Sequence, residues 1–340
     1  MSNGKNQKKG GIAVWLIVAS MVALYFFGVN IFDITLGPDG TTNETTIEST
    51  ENAEKPPITE ISNPSGELIL TMIDVGQADS FLLVQNGKTL LVDCGTRSTG
   101  KDVVSYLKEQ KIEKLDYVIG THPHDDHMGG MYDVITNFDV GKIIMPEVEA
   151  GKVTTNWYVK LMGEIKQGGY ELEYAKLGTV YSLGDASFKI IGPIEVDEGN
   201  LNNYSVVLKV TFGEMDIIMT GDAETKVEKA IIDSGETLGA EILKVGHHGS
   251  DTSTSDDFLD AVSPLYALIS CKVGNKYEHP IKSTMEKLEK KEIEVYRTDE
   301  TGTVVATITS NDVKFSTEPG DYLSGIELEE AKSKWRVMHR

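Results

Sequence analysis

The sequence predicts a four-layer αββα sandwich, an α/β (α+β) fold, on two observations. Strand-like runs come in two batches, one opening at Leu68 and one at Ser205, and each batch is followed by amphipathic helical patterns. Two sheets packed face to face, with helices outside, bury both kinds of apolar face at once. Four apolar runs also end in His or Asp: Leu90 to Val92 before Asp93, Leu115 to Ile119 before His122, Ile217 to Thr220 before Asp222, and Ile242 to Val245 before His247. Rigid strand ends are where a layered fold gathers polar groups.

In chain order, residues 1–9 are polar and carry Lys5, Lys8 and Lys9 with no acidic residue. Residues 10–32 are free of charge and rich in Leu, Val, Ile, Phe and Ala. As a helix they would span about 34 Å, enough to cross a hydrocarbon core with some tilt. The lysines before the segment and Asp33 after it put the N-terminus in the cytoplasm. The expectation is a single-pass transmembrane anchor in the cell membrane, with the rest of the chain extracytoplasmic. The competing reading is a cleaved signal peptide and a secreted domain; the apolar region is long for that, and Ala19-Ser20-Met21 is a weak cleavage site. Residues 33–65 have too few large apolar side chains to offset their ordering entropy and read as a flexible acidic linker.

The folded domain is expected over residues 66–316. Leu68 to Val75 alternates as a strand, and Phe81 to Val84 turns at Asn86-Gly87 into Thr89 to Val92. Val103 to Gln110 is an amphipathic helix, Leu115 to Ile119 a buried strand, and Ile143 to Met145 a short one. A helix follows at Trp157 to Gln167, then short strands with glycine turns up to Pro193. Ser205 to Phe212 and Asp216 to Thr220 pair across Gly213-Glu214. Glu224 to Ser234 is helical, Glu241 to Val245 and Leu265 to Ser270 are strands, and Ser283 to Lys290 is a helix. Val304 to Thr309 and Val313 to Ser316 close the domain, and residues 317–340 form a tail with a helix from about Leu323.

The formal charge of −21 argues against a broad basic face for sequence-independent nucleic-acid binding. It leaves room for a nucleic-acid substrate, because a metal centre supplies positive charge locally. Cys94 and Cys271 are the only cysteines, too few for a disulfide framework, and are expected as two unpaired buried thiols, with one bridge between them as the alternative.

Residues 121–130, Thr-His-Pro-His-Asp-Asp-His-Met-Gly-Gly, hold three of the seven histidines within six residues. Imidazoles and carboxylates are ligands for zinc, manganese and iron. The pattern His-x-His-x-Asp-His can serve two neighbouring ions from one turn, His122 and His124 on one, Asp126 and His127 on the other. Asp222 is placed to bridge two cations, with an Asx turn or helix cap before Glu224 as the alternative, and His247 or His248 to complete the coordination of the second ion. Asp93 is expected to orient a ligating histidine.

With these residues in view the chain resembles the metallo-β-lactamase-fold hydrolases, through His122-x-His124-x-Asp126-His127, Gly221-Asp222 and His247. It is similar in more detail to the soluble metallo-hydrolase portion of the ComEC-type competence proteins. The motifs that carry this are Ile73-Asp74-Val75-Gly76-Gln77-Ala78-Asp79-Ser80, Leu91 to Gly95, Lys244 to Ser250, Asn275 to Pro280, and Arg297-Thr298-Asp299, in that order over residues 67 to 310. The resemblance implies the αββα metallo-β-lactamase sandwich, one or two divalent ions (zinc or manganese), and hydrolysis of phosphodiesters, with DNA as substrate. It implies His247 as the ligand of the adjacent pair, and Asp79 and Lys244 as supports behind the ligands. The chain departs from the family in having no histidine near Leu201-Asn202-Asn203, so the ion on His122 and His124 is expected to be completed by water or an asparagine oxygen. Ala78, where the family has glycine, is a minor departure.

The catalytic expectation is a water activated by the ions and oriented by Asp126 and Asp222. His248, His279 or Lys244 would contact the phosphate, and His279 would protonate the leaving oxygen; a structural turn histidine before Pro280 is the plain alternative. Small phosphodiesters, lactones and β-lactams suit the same centre, and a non-catalytic binding protein is the reading from a different class.

Overall fold

The computed structural model describes residues 66–194 and 199–338. The expected anchor at residues 10–32, its basic leader and the linker lie outside them. Among the described residues, no helix is long and apolar enough to cross a membrane.

The alternation at the head of the domain lays down β1 (Leu68–Met72), β2 (Phe81–Gln85) and β3 (Lys88–Val92), followed by β4 (Lys114–Ile119), β5 (Asp139–Met145) and β6 (Leu172–Tyr174). The second batch is β7 (Val180–Leu183), β8 (Ala186–Gly192), β9 (Val207–Phe212), β10 (Met215–Met219), β11 (Ile242–Lys244), β12 (Tyr266–Ile269) and β13 (Glu294–Arg297). β14 (Val304–Ile308) and β15 (Val313–Phe315) close the chain of strands. The sheets run β15-β14-β1-β2-β3-β4-β5-β6 and β13-β12-β11-β10-β9-β8-β7.

Side chains between the sheets include Leu70, Phe81 and Leu83 from one and Phe188, Leu208 and Ile217 from the other, all at or below 1% exposure. Each contributes about 1.5–3 kcal/mol by leaving water. The outer face of the first sheet buries Leu91, Val118 and Ile143 under the helices Gly100–Glu109, Met131–Ile135 and Asn156–Gln167. That of the second buries Ile218, Leu243 and Val295 under Thr225–Asp233, Asp256–Val262 and Lys282–Lys290. The four expected layers are present. Cys94 and Cys271 are both buried free thiols.

Three details differ from the sequence expectation. The two batches do not map one to one onto the sheets, because β14 returns to pair antiparallel with β1, Leu68 opposite Ile308. Strand β13 lies beside β12, where no strand was expected, since Glu294 and Arg297 break the apolar run. The first strand stops at Met72, and residues 73–80 turn back through Gly76 (φ +77°) to carry Asp79 inward. At the C-terminus the helix Gly325–Met338 is tied to the domain by Gly325 N–H on Pro280 O at 2.9 Å and Lys332 Nζ on Asp299 O at 2.6 Å.

Strands β3 to β6 are mutually parallel, as are β10 to β13. Parallel strands are buried on both faces, which explains the unbroken Leu90-Leu91-Val92 and Ile217-Ile218-Met219 runs. Their carboxyl ends all open on one edge of the sandwich, the usual place for a site in α/β sheets.

Candidate metal centre

Asp93 follows β3, residues 121–128 follow β4, Asp222 follows β10 and His247-His248 follow β11. The short helix Asp125–Met128 is clamped by backbone bonds on two sides: Asp79 N–H to Asp126 O at 3.0 Å and Cys94 N–H to His127 O at 2.7 Å. The glycine pair that ends the motif allows this approach, since a Cβ on Gly130 would stand 2.1 Å from Cys94 O. His247 and His248 both adopt left-handed backbone, φ 51° and 54°. For non-glycine residues that costs about 1–3 kcal/mol each and marks a held site.

Most of the predicted residues meet. Asp222 Oδ2 lies 3.1 Å from His127 Nε2, 3.9 Å from His122 Nε2 and 3.8 Å from His248 Nε2. His248 Nε2 is 3.6 Å from Asp126 Oδ2, and His122 Nε2 is 2.9 Å from His124 Nδ1. Donors sharing one tetrahedral ion at a bond length of about 2.05 Å stand about 3.4 Å apart. Tight groups of ligand atoms are His122, His127 and Asp222; Asp126, His127 and His248; Asp79, Asp222 and His248; and Asp79, Asp93 and His127. His248 belongs to two of these. His247, the ligand of the adjacent pair expected from the sequence, lies outside these groups, with Nε2 3.6 Å from Asp222 Oδ2 and Nδ1 3.1 Å from Thr252 Oγ1.

The centre passes a chemical test for a cation. His127 Nε2, His248 Nε2, Asp222 Oδ1 and Asn202 Oδ1 are buried without a hydrogen-bond partner. Unpaired buried polar atoms are costly; His248, Asp222 and Asn202 line one cavity, and an ion there would account for theirs. Asn202 stands where the family histidine is missing, and its Nδ2 is held by Glu224 Oε1 at 3.1 Å.

Buried imidazoles and carboxylates in the cluster shift one another's titration. Burial lowers the His127 imidazole, but the Asp222 and Asp93 carboxylates outweigh it and hold it well above its ordinary range. Burial likewise opposes the His248 cation, and Asp222 and Asp79 push it up to about 10. Burial would raise Asp126, yet His248 and His127 hold it well below the usual carboxylate range. His122, desolvated and beside His127, is held well below 6.5 and stays neutral.

The supporting residues fall behind the ligands. Asp93 accepts from Thr121 N–H on Oδ1 at 2.8 Å, and its Oδ2 meets His127 Nδ1 at 2.7 Å. Lys244 is buried, ion-paired with Asp79 at 2.8 Å, and donates to Gly221 O and Val245 O. It holds Asp79 and is not turned toward a phosphate, contrary to one sequence expectation. His279 lines the same cavity beside His247, ring centroids 5.5 Å apart. The sequence reading missed Ser270, whose carbonyl fixes His248 Nδ1 at 2.9 Å, and Ser205, whose Oγ accepts from Asp222 N–H at 3.0 Å. It also missed Tyr277, which lines the cavity and lies inside the quoted Asn275 to Pro280 motif.

A family model described as the metallo-beta-lactamase superfamily matches residues 73–272. ComE operon protein 3 of Bacillus subtilis is 31% identical over 258 residues, 71% of this chain and 33% of that protein. Competence protein ComA of Neisseria gonorrhoeae is 31% identical over 241 residues, 70% of this chain and 32% of that one. Recombination protein 2 of Haemophilus influenzae is 30% identical over 251 residues, 72% and 29%. The chain spans about a third of the length of these curated relatives. With the two-sheet sandwich, the strand-end His and Asp cluster and the family match in agreement, the chain belongs to the metallo-β-lactamase superfamily of hydrolases.

Proposed function

We propose that the chain is a metal-dependent phosphodiesterase that cleaves DNA outside the membrane to which residues 10–32 would tether it. The chemistry rests on the buried, unpaired atoms of Asn202, Asp222 and His248 facing one cavity, with His127 Nε2 3.1 Å from Asp222 Oδ2. DNA as the substrate is supported by likeness to proteins named for competence and recombination.

In this reading His122, His124 and the Asn202 amide oxygen would hold one ion, Asp126, His127 and His248 would hold the other, and Asp222 would be open to either. Bound divalent ions would supply Lewis acidity and lower the pKa of a water. Imidazoles and carboxylates without thiolate suit zinc, manganese or iron. The chain's own part is orientation: Asp93 fixes the His127 ring, Ser270 O fixes His248, and Asp126 and Asp222 accept hydrogen bonds from the attacking water. His247 stands at the cavity rim, free of the ligand groups, and takes the phosphate contact that the sequence assigned to His248. Burial, and the charges of His248 and His247, push His279 down to about 4. It is therefore neutral at pH 7 and serves as a hydrogen-bond donor to phosphate, not as the proton source.

The test is metal content of the purified chain, followed by incubation with manganese or zinc against single-stranded DNA, bis-p-nitrophenyl phosphate and nitrocefin. DNA and the small diester should be cleaved, and the Asp126→Ala/His127→Ala double variant should lose cleavage while keeping its circular dichroism. Cleavage of nitrocefin alone, or full activity in the double variant, overturns the reading.

A further inference from the structure

Beyond the metal centre, three cavities join into one groove. The cavity at the metal centre, of about 310 Å³, shares Asp125, Asp126 and Tyr277 with a second of about 420 Å³. That one shares Lys272 and Gly274 with a third of about 500 Å³, walled by Lys332 and Arg336 of the C-terminal helix.

Its charge is unlike that of the chain. Against a formal −21, Lys276, Lys272, Lys332 and Arg336 follow one another along this path, the first two and Arg336 exposed. Two of the acids beside it are committed, Asp125 to Arg97 at 2.6 Å and Asp299 to Arg297 at 2.8 Å. Asp74 and Glu329 also line the far cavity and set a limit on its positive potential. Between the metal centre and the cations stands Tyr277, a 50% exposed ring backed by His279 at 5.6 Å and 25° between planes. Lys276 Nζ hovers 4.6 Å from that ring, on an exposed side chain able to swing aside to a phosphate.

We infer that this groove binds a single-stranded polynucleotide, with one base stacked on Tyr277 and successive phosphates on Lys276, Lys272 and Arg336, so that the strand delivers its scissile phosphate to the metal centre. The inference rests on the phosphodiesterase reading above and narrows its substrate. An aromatic platform followed by a cationic track is how proteins hold unpaired strands. A duplex offers no free base face to Tyr277 and brings a second polyanion against an acidic surface.

The test measures anisotropy of fluorescein-labelled dT3 and dT12 on the full-length chain in detergent, with EDTA present so that nothing is cleaved. dT12 should bind at least about tenfold more tightly than dT3, which ends before the far cations. Lys272→Ala with Arg336→Ala should weaken dT12 about tenfold and flatten its log–log salt slope by about 1.4, two contacts at about 0.7 each. Tyr277→Ala should lose about tenfold, and Tyr277→Phe should retain wild-type affinity. Both charge changes lie on exposed side chains, and circular dichroism checks the fold. Equal affinity for dT3 and dT12, an unchanged salt slope in the double variant, or a 12-base-pair duplex bound as tightly as dT12 overturns the inference. Cleavage assays separate it from the catalytic reading. Length-dependent binding without hydrolysis of any diester defeats catalysis alone, and hydrolysis without length dependence defeats the groove alone.

Discussion

Asp93 Oδ2 lies 2.7 Å from His127 Nδ1 and turns that ring so that Nε2 faces Asp222 at 3.1 Å. The carboxylate is itself fixed by Thr121, whose N–H and Oγ1–H both donate to it at 2.8 Å. A ligating histidine held this way keeps one tautomer and one orientation.

Replacing Asp93 by Asn tests that control. Asn tolerates the left-handed backbone found at this position, φ 60°, so the fold should persist. An amide turned to His127 loses the charge and, in one orientation, the acceptor. Metal affinity should fall about 10- to 100-fold, read by competition with a chelating dye. Unchanged affinity would show that His127 needs no such partner.

How much of this was legible in the sequence depends on how local each signal is. Residues 121–128 announce themselves because the ligands sit on one short turn. Asp222 was legible because a parallel, doubly buried strand gives an unbroken apolar run that stops at Gly221-Asp222. The choice between His247 and His248 was not, because adjacent residues share every sequence signal. The structure separates their rings, two successive left-handed residues sending one to Ser270 O and the other to Thr252. The return of β14 to β1 was hidden for a different reason: residues more than two hundred positions apart pair through backbone groups that no side chain advertises.

The orphaned Asn202 oxygen gives a second prediction. Asn202→Ala removes it while Glu224 keeps its bond from Asn200 Nδ2 at 2.8 Å, so the loop retains an anchor. In the two-ion reading, bound metal measured after dialysis should fall from two ions per chain toward one, with the Asp126 and His127 ion retained. Two ions bound equally well in variant and parent would remove Asn202 from the ligand set.

A third concerns the buried pair Arg297 and Asp299, both side chains at 0% exposure and 2.8 Å apart. The guanidinium also donates to Leu323 O, linking β13 to the segment that leads into the C-terminal helix. Removing one member of such a pair leaves the other charge unpaired in a low dielectric. Asp299→Ala should cost about 3–5 kcal/mol, read from urea denaturation. A loss below about 1 kcal/mol would mean that water or Glu300, 3.4 Å from Arg297 Nε, takes over the compensation.

The last prediction is a pH dependence confined to the C-terminal helix. Glu327 accepts from Lys282 Nζ at 2.7 Å and from Ser324 N–H and Oγ at 3.0 and 2.8 Å. The Lys282 ammonium, then Ser324, hold this carboxyl down to about 2 from an ordinary 4.5. A carboxyl with a depressed folded pKa stabilises its setting above the unfolded value and loses that stabilisation as pH falls through the folded one. The helix Gly325–Met338 should therefore loosen between about pH 4.5 and pH 2. Amide hydrogen exchange, corrected for intrinsic rates, should show faster exchange of residues 325–338 across that window. Glu327→Gln should start from the faster value at pH 6 and show little further change on acidification. Because Glu327 and Lys282 pair at the surface, salt screens them, and 0.5 M sodium chloride should shrink the difference between variant and parent. An identical pH response in the two proteins would assign the helix anchorage to Leu328 burial and the Lys332 bond to Asp299 O instead.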